Sequence, residues 1–457
     1  MKKLLTIVSV ILILTTLLAA CATPTPTPTQ APTEVPTAAP TEAPTAEPTP
    51  AGLTCAQPIK VGLITDLTGA LASYGEMIVR SFMLGMEYAA GAPGSAGEVF
   101  DYKTMQQNTF KIENCEVQVF VRDDASTPDL TTTVANQLID VEKVNILVGT
   151  ASSGATATLQ GIALQNKIPL IVAPAAANDI TGVNFNEYTF RTSRNNYQDA
   201  INECSALTKT YKKLIQIAPD YAFGKGSAAA FRDACTLQGA TFVADDIFAP
   251  LTTTDFTPYM EQIATSGAEA YIVTWAGTGF VALMKAADDQ GVTGKIALGT
   301  TFVNNAVMPA LYANYIGTSA GIIYAYKAPQ NPINDFMVAE EQARYKAIPD
   351  LFDADGMNAA LMIAATLKKT NGDVNGDVLV KAMEGLSFDG PKGKVDIRPE
   401  DHVAIQDMYV LTLNNLTDPN ADYYTLVETT RPEPPCLLPE NLKARCGALP
   451  YGTLTGN

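Results

Sequence analysis

Residues 59–76 read IKVGLITDLTGALASYGE, a short apolar run followed by a loop and the beginning of a helical pattern. The run Ile59–Thr65 is partly β-branched, which predicts a buried strand. From residue 75 to residue 90, apolar side chains recur on one helical face, namely Ile78, Phe82, Met83 and Met86. A buried strand that leads into an amphipathic helix is the unit from which parallel sheets are built.

The same alternation continues downstream in two successive blocks. In the first block we predict strands at 117–121, 145–149 and 169–173, and helices at 130–141 and 155–165. In the second block we predict strands at 213–218, 240–247, 270–275 and 295–299, and helices at 225–237, 256–265 and 279–290. Later helices are predicted at 335–345 and 357–369, and later strands at 394–397 and 408–413. The pattern predicts an α/β fold with two doubly wound parallel-sheet lobes.

Two such lobes predict a function as well as a fold. Parallel sheets bind ligands beyond the carboxyl ends of their strands. If those ends face each other, a cleft forms, and hinged closure buries a small molecule from both sides. The chain has 457 residues and a formal net charge of −17, which suits two domains and argues against a basic surface for nucleic acid.

The first 54 residues predict export and anchoring. Lys2 and Lys3 precede an apolar stretch that closes with Leu18-Ala19-Ala20-Cys21, the layout of a secretory signal. The cysteine after small residues is similar to the bacterial lipoprotein box. This resemblance implies a signal peptide at 1–20 and a lipid anchor on Cys21. A transmembrane helix is the alternative, but the stretch is at the lower limit for a span. Residues 22–50 are almost entirely Thr, Pro, Ala and Glu, so 21–54 is expected to be an extended linker.

Six cysteines remain for an oxidising compartment, and the sequence leaves their pairing open. We favour Cys55–Cys115, because both precede predicted strands of one sheet. Cys204–Cys235 would join consecutive predicted helices, and Cys436–Cys446 would close a short Pro-rich loop. No metal site or cofactor is expected, because Cys-x-x-Cys is absent and His402 is the only histidine.

Eight segments, in order, resemble one family of binding proteins. They are IKVGLITDLTGALASYGE (59–76), VRDDAS (121–126), ILVGTASSGATA (146–157), IPLIVAPAAAND (168–179), YTFRTSRNN (188–196), APDYAFGKG (218–226), GPKGKVDIRPEDH (390–402) and IQDMYVLTL (405–413). Together they are similar to type I periplasmic solute-binding proteins of ABC importers, in the leucine/isoleucine/valine-binding branch.

The resemblance implies two lobes joined by three crossovers, near 191–194, 325–329 and 401–403. Lobe 1 would comprise 56–192 and 328–400, and lobe 2 would comprise 193–327 and 401–425. A Pro-rich tail would follow at 426–457.

On lobe 1, the resemblance places ligand contacts in three loops that follow strands. Tyr74 would cover the cleft, although it can equally be a loop tyrosine packed on its own lobe. Ser152 and Ser153 begin a helix, where hydroxyl and backbone N–H groups suit a carboxylate or simply cap the helix. Ala175 would offer a backbone carbonyl. Ala177 stands where amino-acid binders carry a threonine, so that hydroxyl contact is lost.

On lobe 2, Tyr221, Phe223 and Trp275 are expected to pack on the ligand, with core packing as the alternative for Trp275. Thr301 lies near the position where amino-acid binders often carry the glutamate that pairs with the ligand ammonium. An ammonium buried without a carboxylate is costly, so a carboxylate without an amine fits better. Asp220 from a neighbouring loop is an alternative counter-charge.

The hinge and one loop carry further candidates. Arg191 and Arg194 can meet a ligand carboxylate, but we expect Arg191 to support the hinge through backbone carbonyls. His402 is read as hinge structure, with a ligand or pH role as the alternative. The stretch NGDVNGD (371–377) is similar to a calcium loop but lacks its final spaced carboxylate, which favours a solvated turn.

The sequence therefore predicts a monomeric, lipid-anchored binding protein outside the cytoplasm, which delivers a small solute to ABC permease subunits. The solute would be an amino acid, an aromatic or aliphatic carboxylate, or an amide. A receptor component of a signalling or chemotaxis system would have the same cleft. An extracytoplasmic hydrolase is the third hypothesis. It is disfavoured because the chain lacks Gly-x-Ser-x-Gly, His-Glu-x-x-His and P-loop motifs.

Overall fold

Six strands of the described chain form the first sheet, which is the core of lobe 1. The computed structural model describes residues 52–91, 100–277, 279–300 and 304–456, so Cys21, the signal and most of the linker lie outside it. The strands are β1 (Ile59–Thr65), β2 (Gln107–Ile112), β3 (Cys115–Asp123), β4 (Ile146–Val148), β5 (Leu170–Val172) and β6 (Thr189–Arg191). Their order is β2-β3-β1-β4-β5-β6, and β2 alone among them runs antiparallel to its neighbour.

Helices cover this sheet on both faces. They are α1 (Ala72–Ala89), α2 (Pro128–Gln137) and α3 (Ser153–Asn166). Most side chains of β1 are fully buried, as expected for a central parallel strand with helices on both sides. The predicted bounds of β1 are confirmed residue for residue. The edge strand β2 was not predicted.

The second sheet is the core of lobe 2 and is parallel throughout its described strands. It contains β7 (Lys213–Pro219), β8 (Thr241–Phe242), β9 (Ile247–Ala249), β10 (Ala270–Val273) and β11 (Ala297–Gly299). The helices are α4 (Asn196–Leu207), α5 (Ala222–Leu237), α6 (Thr257–Thr265) and α7 (Gly279–Asp289). The single strand predicted at 240–247 is wrong. It is two short strands, β8 and β9, separated by the acidic pair Asp245 and Asp246.

The last third of the chain completes both lobes. Its elements are α8 (Met308–Leu311), β12 (Ser319–Ile322), α9 (Pro332–Glu340), α10 (Asp353–Thr370), α11 (Gly376–Met383), β13 (Ser387–Gly390), β14 (Gly393–Ile397), β15 (Ala404–Ile405), β16 (Met408–Leu413) and β17 (Tyr424–Thr430). Helix α10 packs on α1 in the apolar core of lobe 1. Strands β12, β16 and β17 form an antiparallel sheet, and β16 contributes to the core of lobe 2.

Hydrogen bonds tie together the segments that join the two lobes. The backbone N–H of Arg191 donates to the carbonyl of His402 over 3.1 Å. The Gln406 side chain donates to the carbonyl of Thr192 over 2.9 Å. These bonds hold the end of β6 against residues 402–406 around β15. The sequence analysis predicts a crossover between the lobes here, and we call this contact the hinge region below.

The described residues contain the three disulfide bonds that the sequence analysis favours. They are Cys55–Cys115, Cys204–Cys235 and Cys436–Cys446. Cys55–Cys115 fixes the chain to the start of β3, and Cys204–Cys235 joins α4 to α5. Within the described ranges, no helix combines the length and the apolar character needed to cross a bilayer.

The C-terminal segment is packed more closely than a surface tail. Cys436, Leu438 and Cys446 are buried. Arg445 donates to the Glu384 carboxylate over 3.0 Å and to the Glu400 carbonyl over 2.9 Å, beside the hinge. The backbone N–H of Leu454 donates to Asp233 of α5 over 2.8 Å. Residues 431–456 thus contact elements of both lobes, and we refer to them below as the C-terminal strap.

Candidate functional site

A cleft lies between the two sheets, at the carboxyl ends of their strands. Strand β1 lies between β3 and β4, and β7 lies between β8 and β10, so each sheet has a topological switch point where ligands bind in folds of this kind. The loops from both switch points enclose an inner cavity of about 310 Å³, open solvent included. It is lined by Leu71, Tyr74, Ala151, Ser153, Pro174, Ala175, Ala176, Arg194, Tyr221, Phe223, Ala276 and Phe352.

Four aromatic rings form the apolar part of the inner cavity. Tyr74 and Phe352 meet edge to face with ring centres 4.9 Å apart, and Tyr221 lies 5.9 Å from Phe223. Burial raises the pKa of both Tyr74 and Tyr221, which keeps the phenols neutral. These rings offer faces and edges to an aromatic or aliphatic solute.

The polar end of the cavity on lobe 1 is the beginning of α3. Ser152 caps this helix, because its hydroxyl accepts the Ala155 N–H over 3.5 Å. The Ser153 hydroxyl oxygen accepts the Ala177 N–H over 3.2 Å and retains its own proton for donation. The helix terminus carries partial positive charge. This end of the cavity is therefore suited to an anionic group.

A buried guanidinium group lies beside this polar end of the cavity. Arg194 donates to the Pro174 carbonyl over 2.8 Å and to the Asp199 carboxylate over 3.1 Å. Its guanidinium carbon is 5.0 Å from the centre of the Phe352 ring. Burial raises the pKa of Asp199 to about 6, and Arg194 opposes that rise. Arg194 presents the positive partner of this ion pair to the cavity wall, whereas Asp199 does not line the cavity.

Arg191 and His402 are structural groups of the hinge. Arg191 is fully buried and donates to the carbonyls of Ala175 over 2.6 Å and Ala177 over 2.8 Å, so it makes the backbone contacts that the sequence analysis expects of it. Burial and, to a smaller extent, the neighbouring Arg194 lower its pKa to about 9. The His402 ring stacks on Phe190 with ring centres 4.0 Å apart, and its hinge role stays a prediction.

Several hydrogen bonds between described residues join the lobes across the cleft. The Gly277 N–H donates to the Tyr74 hydroxyl oxygen over 3.3 Å, and the Asn305 N–H donates to the Asp350 carboxylate over 2.8 Å. The Asn178 side chain donates to the Gly226 carbonyl over 3.3 Å. Each pair has one partner on either lobe, so the lobes are in contact around the cavity.

An outer cavity of about 810 Å³, open solvent included, adjoins the inner one. It is lined by Ala70, Ser73, Tyr74, Trp275, Gly277, Phe280, Val281, Asn304, Ala306, Val307 and Leu351. Trp275 is 1% exposed and meets Phe256 edge to face with ring centres 4.8 Å apart. Its indole N–H has no hydrogen-bond partner among the described residues.

The structure brings most of the predicted ligand residues to these two cavities. Tyr74, Ser153, Ala175, Tyr221 and Phe223 line the inner cavity, and Trp275 lines the outer one. Ser152 and Ala177 are buried beside the inner cavity without lining it. Thr301 lies outside the described residues. Their roles as ligand contacts stay predictions.

Other predicted positions lie away from the cleft. Asp220 is exposed, and its carboxylate is 2.9 Å from the Lys225 ammonium, so it lines neither cavity. In the loop 371–377, Asn375 caps α11, and no group of side chains in the described ranges is arranged to hold a metal ion.

Phe352, in contrast, is a cavity residue that the sequence analysis missed. It precedes α10 and follows no strand of either main sheet. The rule that ligand residues follow parallel strands therefore does not predict it.

The fold and the cleft agree with comparisons to known proteins. A family model described as periplasmic binding protein matches residues 58–418. Leu/Ile/Val-binding protein homolog 6 of Brucella melitensis is 26% identical over 370 residues, which cover 79% of this chain and 88% of the relative. A crystal structure of an ABC-type branched-chain amino acid transporter from Rhodopseudomonas palustris is 34% identical. It matches with a TM-score of 0.66 and covers 82% of this chain and 96% of that one.

A further similar structure was solved with a bound solute. It is an ABC-transporter solute-binding protein from R. palustris in complex with benzoate, 25% identical with a TM-score of 0.69. The match covers 82% of this chain and 97% of that one.

Proposed function

The chain belongs to the periplasmic binding protein family, and from this premise we propose that it captures a small carboxylate-bearing solute outside the cytoplasm for delivery to an ABC permease. The solute would enter while the lobes are apart, and their closure would bury it from both sides. No bond is broken in this mechanism, in keeping with relatives that are binding proteins and not enzymes.

The observation that carries this proposal is the composition of the inner cavity wall. One end combines Ser153, the beginning of α3 and the guanidinium of Arg194, and the rest is dominated by aromatic rings. A carboxylate at the polar end would receive hydrogen bonds and partial positive charge. The rings of Tyr74, Tyr221 and Phe352 would enclose the apolar remainder of the solute.

The same wall argues for a solute without an amine. No Asp or Glu is among the described residues that line the inner cavity. An ammonium buried there would have no carboxylate partner and would lie beside Arg194, which is unfavourable. An aromatic or aliphatic carboxylate is therefore favoured over an amino acid, in line with the benzoate bound by one relative.

The location follows from the N-terminal sequence. The run Leu18-Ala19-Ala20-Cys21 supports cleavage before Cys21 and a lipid anchor on that residue, with the Thr/Pro-rich linker holding the lobes away from the membrane. Radiolabelled fatty acid should enter the wild-type protein and not Cys21→Ser. Incorporation into both would refute the anchor without affecting the binding proposal.

A thermal-shift screen tests the binding function. A ligand that binds only the folded protein raises the Tm with the logarithm of its concentration over Kd. We expect shifts with benzoate or aliphatic carboxylates, and none with leucine or valine. A shift with leucine that exceeds the shift with every amine-free carboxylate would contradict the proposal.

A matched pair of serine variants locates the carboxylate. Ser153→Ala removes the hydroxyl at the polar end and should weaken carboxylate binding about tenfold. Ser205→Ala removes a hydroxyl of α4 that bonds the Asn202 carbonyl, and it should leave Kd unchanged. Equal affinities of the two variants would show that the carboxylate binds elsewhere.

The delivery step requires a partner experiment. The closed, solute-loaded protein should stimulate ATP hydrolysis by a cognate ABC permease reconstituted in liposomes. If it stimulates a sensor kinase and has no effect on permeases, the receptor alternative is correct and the cleft chemistry is unchanged.

A further inference from the structure

A cluster of buried charged side chains lies behind the wall of the inner cavity, and we call it the basal charge cluster. Its members are each at most 2% exposed, namely Arg191, Arg194, Asp199, Asp355 and Lys392. Arg194 itself lines the inner cavity. The backbone N–H of Asp355 donates over 3.0 Å to the carbonyl of Phe352, which also lines it. The cluster therefore begins at the cavity wall and extends into the protein behind it.

Both lobes contribute to the basal charge cluster. Asp199 belongs to α4 of lobe 2, Asp355 to the first turn of α10 on lobe 1, and Lys392 to the turn between β13 and β14. This turn packs closely on α10, because a Cβ at Gly390 would overlap with the Asn358 side chain. The Lys392 ammonium thereby interacts electrostatically with the carboxylates of both Asp355 and Asp199.

These five side chains carry an excess of positive charge. Burial raises the pKa of Asp199 and of Asp355 to about 6 and lowers the pKa of Lys392 to about 8, so all three stay mainly charged at pH 7. Together with the two guanidinium groups, the cluster holds three cations and two carboxylates, which leaves one positive charge.

Neighbouring carboxylates do not supply the missing negative charge. Those of the described chain that act on the cluster have cations of their own, in the pairs Asp353–Arg80, Asp401–Arg398 and Asp407–Arg431. Glu341 shares Arg80 with Asp353 and is neutral, because burial raises its pKa well above the ordinary value. The Lys392 ammonium has no hydrogen-bond partner among the described residues. A buried charge without a counter-charge is unfavourable, so an anion in the adjoining cavity would stabilise the cluster.

This stabilisation does not require direct contact between the anion and Lys392. Opposite charges in a protein interior attract each other over several ångströms, because the effective dielectric constant is well below that of water. A carboxylate at Ser153 would lie at the wall to which Arg194 of the cluster belongs. The Lys392 ammonium can therefore act on the solute through space.

We propose that Lys392 is a specificity-determining residue, which makes the net charge of the basal charge cluster +1 and so selects solutes with a single negative charge. This inference rests on the proposed function, since it takes a carboxylate in the inner cavity as given. The favoured solute class is a monocarboxylate whose remainder is uncharged. A neutral amide would leave the excess charge uncompensated, and a second carboxylate in the same cavity would exceed it.

A series of charge variants tests the proposal by calorimetry at pH 7, with benzoate or the carboxylate that gives the largest thermal shift. Lys392→Met keeps the length of the side chain, removes the surplus charge and should weaken binding about tenfold. Asp355→Asn keeps the shape of the side chain, adds one positive charge to the cluster and should strengthen binding about tenfold. The double variant Lys392→Met/Asp355→Asn restores the charge of the wild type, so its Kd should lie within about threefold of the wild-type value.

Lys369→Met is the matched control, because it removes a lysine charge from lobe 1 outside the cluster. Lys369 lies in the last turn of α10, about 21 Å along the helix axis from Asp355, and donates to the Ala382 carbonyl over 2.9 Å. The Kd of this variant should equal that of the wild type. A loss of affinity like that of Lys392→Met would show that only the total charge of the protein matters, and it would overturn the proposal.

The outcomes separate charge selection from a structural role and from the proposed function. If the cluster only stabilises the fold, both single variants weaken binding and the double variant weakens it at least as much, which would overturn the proposal. Unchanged Kd values throughout the series would also overturn it, while the carboxylate site stands. If no carboxylate binds to the wild type, the proposed function and this inference both fail. If Lys392→Met does not fold, Asp355→Asn decides, since only charge selection predicts tighter binding.

Discussion

Asp350 is placed to make solute capture depend on pH. Its carboxylate belongs to lobe 1, is 6% exposed, and accepts the Asn305 N–H of lobe 2 over 2.8 Å. Burial raises the pKa of Asp350 from its ordinary value near 3.8 to about 7, and the hydrogen bonds from Asn305 and Leu351 oppose the rise without cancelling it. When the lobes separate, the carboxyl group meets water and its pKa returns towards the ordinary value.

The sign of the effect follows from proton linkage. The closed state binds the proton more tightly than the open state, so protonation of Asp350 favours closure. The gain is present below the closed-state pKa and is lost as pH rises through about 7. Between about pH 8 and about pH 6, this single group should strengthen solute binding about tenfold, because proton binding favours the closed state in proportion to 1 + 10^(pKa − pH), a factor that rises from about 1.1 to about 11 over that interval.

Calorimetric titration with benzoate at the two pH values measures this change. Asp350→Asn keeps an oxygen that accepts the Asn305 N–H and removes the titration, so its affinity should vary little with pH. Asp124→Asn is the matched control, because burial also raises the pKa of Asp124 to about 6 but its hydrogen bonds stay within lobe 1. Equal pH dependence in the wild type and Asp350→Asn would refute the argument.

Three further predictions test closure, the hinge and the covalent links. Gly277→Ala places a methyl group 2.9 Å from the Ala70 carbonyl oxygen, at a residue with φ +85°. Calorimetry should therefore show that solute binding is weakened at least about fivefold. Unchanged affinity would contradict tight closure of the lobes at this point. Arg191→Lys loses the forked donation to two backbone carbonyls and should lower the free energy of unfolding by about 2–4 kcal/mol in urea titrations. A change in the free energy of unfolding below the error of the titration would show that these two hydrogen bonds of Arg191 do not stabilise the fold. Replacing Cys204 and Cys235 together by serine opens a link with a sequence separation of 31 and should lower the same free energy by about 3–4 kcal/mol. The oxidised wild type serves as the reference, and equal stability of the variant and this reference would contradict the stabilising role of the link.

The sequence was most informative where a strand is buried on both faces. The predicted bounds of β1 and β16 match the structure, because continuous apolar runs bordered by polar residues mark central strands. Strand β2 was missed because QNTFKI alternates polar and apolar residues at the sheet edge, and only its pairing with β3 makes it a strand. Local pattern cannot reveal pairing with a distant segment.

The candidate site likewise contains residues that could be predicted from the sequence and residues that could not. Tyr74, Ser153 and Tyr221 follow strands whose carboxyl ends face the cleft, and the resemblance to the binding-protein family predicted their position in these loops. Phe352 arrives from the segment before α10, which reaches the cavity through tertiary packing alone. The unpaired Trp275 N–H is likewise a property of the packed structure, because no sequence pattern states which polar atoms remain without partners.

The two ends of the described chain are attached to different lobes. Near the N-terminal end, the Leu53 N–H donates to the Glu113 carboxylate of lobe 1 over 2.5 Å. At the other end, the C-terminal strap holds Leu454 against Asp233 of lobe 2. A donor fluorophore beside Leu53 and an acceptor fluorophore beside Leu454 would therefore change their separation as the lobes close. Energy transfer between them would turn the protein into an optical sensor of its own solute without any label in the cleft.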